Sequence, residues 1–278
     1  MIRKLIKSSV RKVTAAGDMQ RVRKRLLSAP DLTDAQKALL KSISLKVHSQ
    51  DGMYIPLRAE HYLRVGLDAI KCIDKSLSAS GNSGDRIKTI LDLPCGHGRV
   101  MRFLKARFPD AEICAMEIDE SGLAFCGKTF SARMLQSQSD FDKINLTERF
   151  DLIWCGSLLT HVTESTAATR LRFFVRHLSA GGICVFTTGG RYSVELLRKG
   201  TLDYGLDGSE ISAALKQYDQ SGFGFGNYPG QSGYGITLIN REKLNALASS
   251  AGSWTEIHFE ERGWDNHQDV YAFRKTSF

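Results

Sequence analysis

The sequence predicts an α/β protein with a mostly parallel sheet, because short apolar strands alternate with amphipathic helices along much of the chain. A first strand, predicted over 89–93, runs into a turn containing Gly96 and Gly98 and then into a helix over 99–108. Further strands are predicted over 111–118 and 150–155. A strand, a glycine turn and a helix N-terminus together favour a nucleotide-like ligand, since the helix end offers unpaired N–H groups.

Length and composition set the organisation. The 278 residues, 42% hydrophobic, can bury one good core with a small appended lobe. The predicted parts are a basic arm at 1–30, a helical extension at 31–84, and a main domain at 85–278 with an insertion at about 190–236. No run approaches about 18 uninterrupted apolar residues, so no membrane span is expected. Six cysteines lack metal-ligand spacing, which favours reduced thiols in the cytoplasm and no metal site.

The glycine turn fits one of two templates better. A dinucleotide turn needs a third glycine three positions after Gly98, where this chain has Met101. The alternative template is an acid at the strand end followed by Gly-x-Gly, which Asp92, Gly96 and Gly98 match. A turn without any ligand is the simpler interpretation of the same residues.

Four motifs in order, at 89–100, 111–119, 150–162 and 178–188, resemble those of the class I S-adenosylmethionine-dependent methyltransferases. The resemblance implies a doubly wound, Rossmann-like, seven-stranded sheet whose last strand is antiparallel. It places Asp92 and the two glycines at the methionine end of the cofactor and Glu117, 25 residues after Asp92, on the ribose. Pro94 replaces the commonest glycine. The predicted cofactor-binding residues are Asp92, Pro94, Cys95, Gly96, Gly98, Glu117, Ile118, Gln138, Ser139, Asp140, Cys155 and Gly156.

The loop after the strand at 150–155 supplies the first candidate for a general base, His161, since this loop faces the transferred methyl in the family. A hydroxyl acceptor is a weak acid and needs such a base. A structural role for His161 is the alternative. His267 and Asp265 are second candidates, or plain turn residues. Cys155 and Gly156 occupy the region where some relatives place a metal-binding acid, so no metal is expected.

The glycine-rich segment 221–236 holds six glycines and four aromatic residues, which predicts either a loop that closes over substrate or an ordered surface loop. The predicted substrate-contacting residues are Tyr54, Phe223, Phe225, Tyr228, Tyr234 and Trp264. The runs 263–270 and 233–236 are similar to a bacterial subgroup of methyltransferases that often accompanies glycosyltransferases. That resemblance implies a small-molecule or glycan-linked acceptor.

The charge is concentrated at the N-terminus. Residues 1–28 hold nine basic side chains against one acid, Asp18, and their net charge of +8 equals that of the whole chain. Apolar residues share one helical face there: Ile2, Leu5, Ile6, Val10 and Val13. A solvated helix packed on the domain or on an acidic partner, a peripheral attachment to an anionic (inner) membrane surface, and a transit or nucleic-acid arm all remain open. The lack of interleaved aromatic residues disfavours nucleic acid.

The sequence therefore predicts a cytoplasmic methyltransferase that uses S-adenosyl-L-methionine and yields S-adenosyl-L-homocysteine, most simply by O-methylation. Three rivals stay open. They are a nicotinamide-dependent oxidoreductase on the same fold, a non-catalytic cofactor-binding or scaffold protein, and a nucleic-acid methyltransferase. Function resides in the site rather than in the fold, so the sequence leaves the acceptor unidentified.

Overall fold

The computed structural model describes the backbone of residues 2–276 and the side chains of residues 15–276. The helices in that range are α1 (Ile2–Leu27), α2 (Asp34–Ser42), α3 (Ala59–Ala79), α4 (Met101–Arg107), α5 (Glu120–Phe130), α6 (Glu164–His177), α7 (Arg191–Arg198), α8 (Gly208–Ser221) and α9 (Arg241–Ala251). The strands are β1 (Thr89–Asp92), β2 (Glu112–Glu117), β3 (Arg133–Gln136), β4 (Phe150–Cys155), β5 (Leu178–Thr188), β6 (Phe223–Asn227), β7 (Gly235–Ile239), β8 (Trp254–Trp264) and β9 (Gln268–Lys275).

Seven of these strands form one sheet in the order β3-β2-β1-β4-β5-β9-β8. The pairs β2–β3 and β4–β5 are parallel. The last strand, β9, is antiparallel to both of its neighbours, β5 and β8. The predicted fold class, a mostly parallel seven-stranded sheet with its last strand antiparallel, is thereby confirmed. A separate two-stranded antiparallel sheet contains β6 and β7.

The chain divides into two compact units. The first comprises residues 1–71 and 91–137, and the second comprises residues 72–90 and 138–278. Each unit is described by itself below. Within the described range, no helix combines the length and the apolar character that crossing a bilayer requires.

In the first unit, helix α1 packs through one face. Ala15, Met19, Val22 and Leu26 are buried and recur every three or four residues, as on one side of a helix. The apolar positions predicted nearer the N-terminus lie outside the residues whose side chains the structure describes. The predicted amphipathic face therefore remains a prediction, and the buried face described here consists of other residues.

The spacing Thr33-x-x-Gln36 predicts a capping box at the start of a helix that runs to about Lys46. Helix α2 does begin with this box, in which Thr33 and Gln36 satisfy each other's backbone N–H groups. The helix ends at Ser42, four residues before the predicted end at Lys46. The physical reason is tertiary. The Arg102 guanidinium donates to the carbonyls of Ser44 and Lys46, at 2.7 and 3.1 Å, and so holds this stretch outside a helix.

Arg102 of α4 is 1% exposed and is the most heavily bonded side chain in the first unit. Besides those two carbonyls, it donates to the Gly98 carbonyl (3.1 Å) and to the Tyr62 hydroxyl (3.1 Å). The Tyr62 hydroxyl donates in turn to the buried Asp51 carboxylate at 2.7 Å. The buried cation therefore has an acid within its hydrogen-bonded network, which is the condition for tolerating a charge in a core.

In the second unit, the junction between α6 and β5 differs from prediction. The glycine pair Gly181-Gly182 predicts the end of a helix followed by a strand, but α6 ends at His177 and β5 begins at Leu178. Phe150 pairs with Leu178 and Leu152 pairs with Ile183, so the glycine pair lies in a bulge of β5. A Cβ on Gly182 would lie 2.8 Å from the Phe150 carbonyl oxygen, so this close approach explains the glycine.

The segment predicted as an insertion contains α7, α8 and β6. Its apolar residues form a core with β7, made of Val194, Leu197, Leu206, Ala214, Ile236 and Leu238. The glycine-rich segment is an ordered β6–β7 hairpin rather than an irregular loop. Gly224 faces the Ala214 carbonyl and Gly235 faces the Gly226 carbonyl, in both cases with no room for a Cβ. Close backbone packing therefore explains these two glycines, and no movement of the segment over a substrate is needed to account for them.

Replacing Arg102 by methionine should lower the free energy of unfolding by about 3–5 kcal/mol. The change removes the buried cation from the network that contains Asp51. It also leaves the Ser44, Lys46 and Gly98 carbonyls without this hydrogen-bond donor. Urea unfolding measures the loss. The matched control is Arg107→Met at the end of the same helix, where a half-buried side chain should cost no more than about 1 kcal/mol. Equal losses in the two variants would contradict this account of the network.

Candidate functional site

The first candidate site is the turn between β1 and α4. Gly96 and Gly98 adopt φ of 49° and 75°, in the left-handed region that glycine favours. The Gly98 N–H bonds the Cys95 carbonyl at 2.9 Å, and the Leu93–Pro94 peptide bond is cis. Helix α4 begins at Met101, two residues later than predicted, because the turn extends through Val100.

The two glycines have different surroundings. A Cβ on Gly98 would collide with the Phe130 ring, so Gly98 is required by packing as well as by its φ. A Cβ on Gly96 would meet nothing within 4 Å. The carbonyl of Gly96 instead faces α5, where a Cβ on Gly122 would lie 2.6 Å away. The turn is thus held tightly on two sides and has open space beside Gly96.

Asp92, at the end of β1, is 1% exposed, and its Oδ2 lacks a hydrogen-bond partner among the described residues. Burial raises the pKa of Asp92 well above its usual range, and the nearby Glu117 carboxylate raises it further. An orphaned buried carboxyl oxygen is uncommon in a folded protein and calls for a ligand or another explanation.

Glu117, at the end of β2, is bound to backbone. One of its oxygens accepts the Gly96 N–H at 2.8 Å, and the other accepts the N–H groups of Ile118 (2.8 Å) and Asp119 (3.3 Å). Asp119 caps α5 by accepting the Ser121 N–H, as its position after the strand suggests. Glu117 therefore fixes the glycine turn in place. These three bonds leave the oxygen that accepts the Gly96 N–H with capacity for one further donor.

The other residues predicted to bind cofactor have varied surroundings. Pro94 is half-buried and Cys95 is buried, while the Ile118 side chain is 61% exposed. Three exposed residues follow β3 in the second unit: Gln138, Ser139 and Asp140. Asp140 caps a short 3-10 helix by accepting the Asp142 N–H at 3.2 Å. Cys155 is buried, and Gly156 lies against Trp154 and Trp264. A Cβ added to Gly156 would lie 3.0 Å from the Trp264 ring.

Sequence reasoning missed a pair of stacked imidazoles at the turn. The His97 ring lies 4.7 Å from the His48 ring with an angle of 10° between the planes. His97 also bonds the Ser121 hydroxyl at 3.1 Å, so its side chain contacts the protein rather than a ligand. His48 lies in an irregular stretch without periodicity, and no sequence signal points to it.

The second candidate site is a cavity of about 110 Å³ within the second unit, at the carboxyl ends of β4 and β5. Its lining residues are Ser157, Thr160, His161, Gly189, Ser193, Tyr204, Tyr228, Ile236, Thr237, His267 and Gln268. Open α/β sheets bind ligands at this edge, where the strands end. The cavity brings together two of the three predicted catalytic residues, His161 and His267.

His161 has a defined hydrogen-bond arrangement. Its Nδ1 lies 2.9 Å from the Gly235 carbonyl oxygen, which can only accept, so Nδ1 carries the proton. The neutral ring then has an unprotonated Nε2. The Tyr228 hydroxyl lies 3.2 Å from Nδ1. Burial lowers the pKa of His161; the bond to Gly235 opposes this effect and the positive charge of Arg170 adds to it. His161 is accordingly a neutral proton acceptor near pH 7.

A chain of polar side chains crosses the cavity wall. The Thr187 hydroxyl donates to Gln268 Oε1 at 2.6 Å, and Gln268 Nε2 donates to the Ser157 hydroxyl at 3.0 Å. Ser157 and Thr160 share a hydrogen bond of 3.2 Å. Ser157 adopts a left-handed φ of 58°, held by its N–H bond to Thr187. These fixed hydroxyl and amide groups suit a ligand rich in hydroxyl groups.

His267 lines the same cavity, with Nε2 at 2.8 Å from the Tyr204 hydroxyl. Burial lowers the pKa of His267, partly offset by Asp265. Asp265 itself is exposed and occupies, with Asn266, the two left-handed positions of the β8–β9 turn. It does not line the cavity, so the structure places Asp265 as a turn residue.

The residues predicted to contact substrate separate into two groups. Tyr228 lines the cavity, Tyr234 is 47% exposed with its ring 5.4 Å from that of His161, and Phe225 is half-buried. Three others are buried: Tyr54 (2% exposed), Phe223 (4%) and Trp264 (3%). Tyr54 donates to Asp18, and Trp264 packs edge-on against Trp154 at 5.4 Å. Tyr204, Ser157 and Gln268 line the cavity and were missed.

Residues 90–182 match the model of a methyltransferase domain family. The malonyl-(acyl-carrier protein) O-methyltransferase of Bacillus anthracis is 30% identical over 129 residues. These are 46% of this chain and 45% of that protein, so the chain spans less than half the length of this relative.

Two solved structures share the fold. An S-adenosylmethionine-dependent methyltransferase from Clostridium acetobutylicum has a TM-score of 0.54 and 15% identity, over 80% of this chain and 95% of that one. An amino pentose methyltransferase from Micromonospora echinaspora, solved with S-adenosylmethionine bound, has a TM-score of 0.53 and 16% identity, over 80% and 98%. This chain therefore has the class I, Rossmann-like fold of these structures, and its residues 90–182 resemble a methyltransferase domain.

Asp269, next to the cavity residue Gln268, should make stability depend on pH. Burial raises its pKa to about 6, although the Arg262 N–H bonds Oδ1 at 2.9 Å. The folded protein thus retains this proton to a higher pH than the unfolded chain, whose value is near 3.8. The stabilisation is complete below that value and is lost as the pH rises through about 6, a difference of about 2–3 kcal/mol.

Between about pH 4 and about pH 6, the free energy of unfolding of Asp269→Asn should therefore fall less than that of the wild type. Urea unfolding at several pH values measures the difference. Asp265→Asn, at an exposed carboxylate four residues away, is the control and should keep the wild-type pH dependence. A pH dependence unchanged in Asp269→Asn would show that Asp269 is not the group responsible.

Proposed function

We propose that this protein is an S-adenosylmethionine-dependent methyltransferase that methylates a hydroxyl group of a small-molecule or glycan-linked acceptor. The observation that carries the proposal is the turn after β1. There, a buried Asp92 oxygen lacks a partner and the space beside Gly96 is open. The domain family and the fold support this assignment.

The residues at the turn fit the cofactor. Asp92 can accept a hydrogen bond from the cofactor's ammonium group, the open side of Gly96 allows close approach, and Glu117 has acceptor capacity for a ribose hydroxyl. When bound, the cofactor supplies a methyl group already activated by the sulfonium. The protein's remaining task is to orient the acceptor, exclude water and remove a proton.

The cavity at the ends of β4 and β5 provides the acceptor side of the proposal. His161 Nε2 is the proton acceptor for the acceptor hydroxyl, because Nδ1 is committed to the Gly235 carbonyl. Ser157, Thr160 and Gln268 offer hydrogen bonds to neighbouring hydroxyl groups. His267 and Tyr204 lie on the same wall as a second bonded pair. A few fixed polar groups within a partly apolar lining favour an acceptor that carries hydroxyl groups, such as a sugar.

The similar proteins act on related chemistry. One is an O-methyltransferase of a carrier-bound malonyl group, and another methylates an amino pentose. The first supports transfer to an oxygen atom, which in a malonyl group belongs to a carboxylate, and the second supports a sugar acceptor. We assign the methylated atom from the cavity and not from these relatives.

Cofactor binding is tested by calorimetric titration with S-adenosylhomocysteine, with NAD as a comparison ligand. Gly96→Ala should weaken binding at least tenfold, because the added methyl occupies the open side of the turn. Gly81→Ala is the matched control, since Gly81 also has a left-handed φ (72°) and also has no atoms within 4 Å of an added Cβ. Both substitutions cost about 1–2 kcal/mol of backbone strain.

Gly81→Ala should bind as the wild type does. If the wild type does not bind S-adenosylhomocysteine, or prefers NAD, the methyltransferase proposal is wrong. If both glycine variants bind normally, the ligand site lies elsewhere.

The general base is tested by following S-adenosylhomocysteine formation with a panel of methyl glycosides as acceptors. His161→Gln should lower kcat about 100-fold or more while cofactor binding is unchanged. Because burial lowers the pKa of His161, the wild-type rate should fall only below about pH 6.5, where His161 gains a proton. The variant should lose this pH dependence. Tyr228→Phe is the control, because it keeps the bond between His161 Nδ1 and the Gly235 carbonyl and should keep the wild-type pH dependence. A His161→Gln variant with the wild-type pH profile would exclude His161 as the base.

A further inference from the structure

A loop in the first unit exposes three large apolar side chains within five residues. Met53 is 58% exposed, Ile55 is 49% exposed and Leu57 is 91% exposed. Single exposed apolar residues are ordinary, but several together on one surface indicate an interaction site. Residues 53–57 are called the apolar loop below.

Leu57 is unusual in its backbone as well. Its φ is 69°, in the left-handed region that disfavours a residue with a branched apolar side chain and favours glycine or asparagine. Neither burial nor local conformation therefore explains a leucine at this position. Residues that break both rules concentrate at functional sites.

The loop is held firmly in its exposed position. Tyr54, in its middle, is buried and donates to Asp18 of α1 at 2.9 Å. Asp51 accepts the Met53 N–H at 2.9 Å and the Tyr62 hydroxyl at 2.7 Å. The Arg58 N–H closes the loop onto the Ile55 carbonyl at 3.0 Å. The apolar side chains are thus displayed by a fixed backbone.

Charge surrounds the loop. Asp18 is the single acid among residues 1–28 and is already bonded to Tyr54, so it places α1 directly beside the loop. Arg21 and Lys24 of α1 are exposed, and Arg23 is half-buried. Arg58, next to the loop, is exposed as well. The first unit therefore presents apolar side chains and positive charge together.

We propose that α1 and the apolar loop dock this protein on an anionic lipid bilayer. Met53, Ile55 and Leu57 enter the headgroup region, and the basic side chains of α1 contact the anionic headgroups. A bilayer is favoured over a protein partner because the loop projects separate apolar side chains, up to 91% exposed, beside positive charge. Insertion into lipid needs no complementary shape.

The test is co-sedimentation of the full chain with vesicles of phosphatidylcholine alone, and with vesicles that also contain phosphatidylglycerol. We expect at least tenfold stronger partitioning onto the anionic vesicles, weakened by salt. Leu57→Asn should weaken binding several-fold without lowering the thermal midpoint, since asparagine tolerates the left-handed φ. Leu202→Asn, at a side chain 40% exposed in the second unit, is the matched control and should bind as the wild type does.

Charge is tested by Arg21→Gln with Lys24→Gln, which should weaken binding to anionic vesicles about 20-fold or more. Lys199→Gln with Lys216→Gln, at exposed sites in the second unit, removes the same charge and should have little effect. Equal binding to the two kinds of vesicle, or no effect of Leu57→Asn, would overturn the proposal. Retention on immobilised polyaspartate without vesicle binding would also overturn it and assign the surface to an acidic protein.

Discussion

The buried guanidinium of Arg102 is the interaction on which the first unit depends. A cation at 1% exposure is tolerable only if its donors are satisfied and an acid is close. Its partners come from separate parts of the chain, and together they fix the Gly98 carbonyl and, through Tyr62, the Asp51 carboxylate. One side chain therefore sets both the conformation of the glycine turn and the position of the loop that begins after Asp51.

The two candidate sites, one in each unit, use polar groups in different ways. At the turn, Asp92 Oδ2 lacks a hydrogen-bond partner among the described residues, whereas three N–H groups fix Glu117 and leave one of its oxygens able to accept again. In the cavity, His161 is oriented by a carbonyl that fixes its tautomer. At both sites, backbone hydrogen bonds occupy some side-chain atoms and leave others able to accept a hydrogen bond or a proton. A few side chains can thereby have defined roles in a common fold.

Local signals predicted the fold well, and long-range bonds set what the sequence could not reveal. The Thr33 capping box and the closing β8–β9 hairpin depend on residues a few positions apart, and the structure confirms both. The bond from Thr187 to Gln268 spans 81 positions, and no periodicity marks it. Arg102 likewise resembles any basic residue of an amphipathic helix until its partners are known. The early end of α2 follows from those partners and not from helix propensity.

The same guanidinium decides where this chain can be cut. A fragment that begins at residue 85 keeps all four motifs of the sequence analysis. It nevertheless removes the Ser44, Lys46 and Tyr62 oxygens from Arg102, and of the acceptors described above only the Gly98 carbonyl remains. The charge would then draw water into the core directly behind the glycine turn. The N-terminal extension thus supplies the hydrogen-bond acceptors that water would otherwise supply to this cation. A deletion or domain exchange must therefore keep residues 44–62 together with the glycine turn.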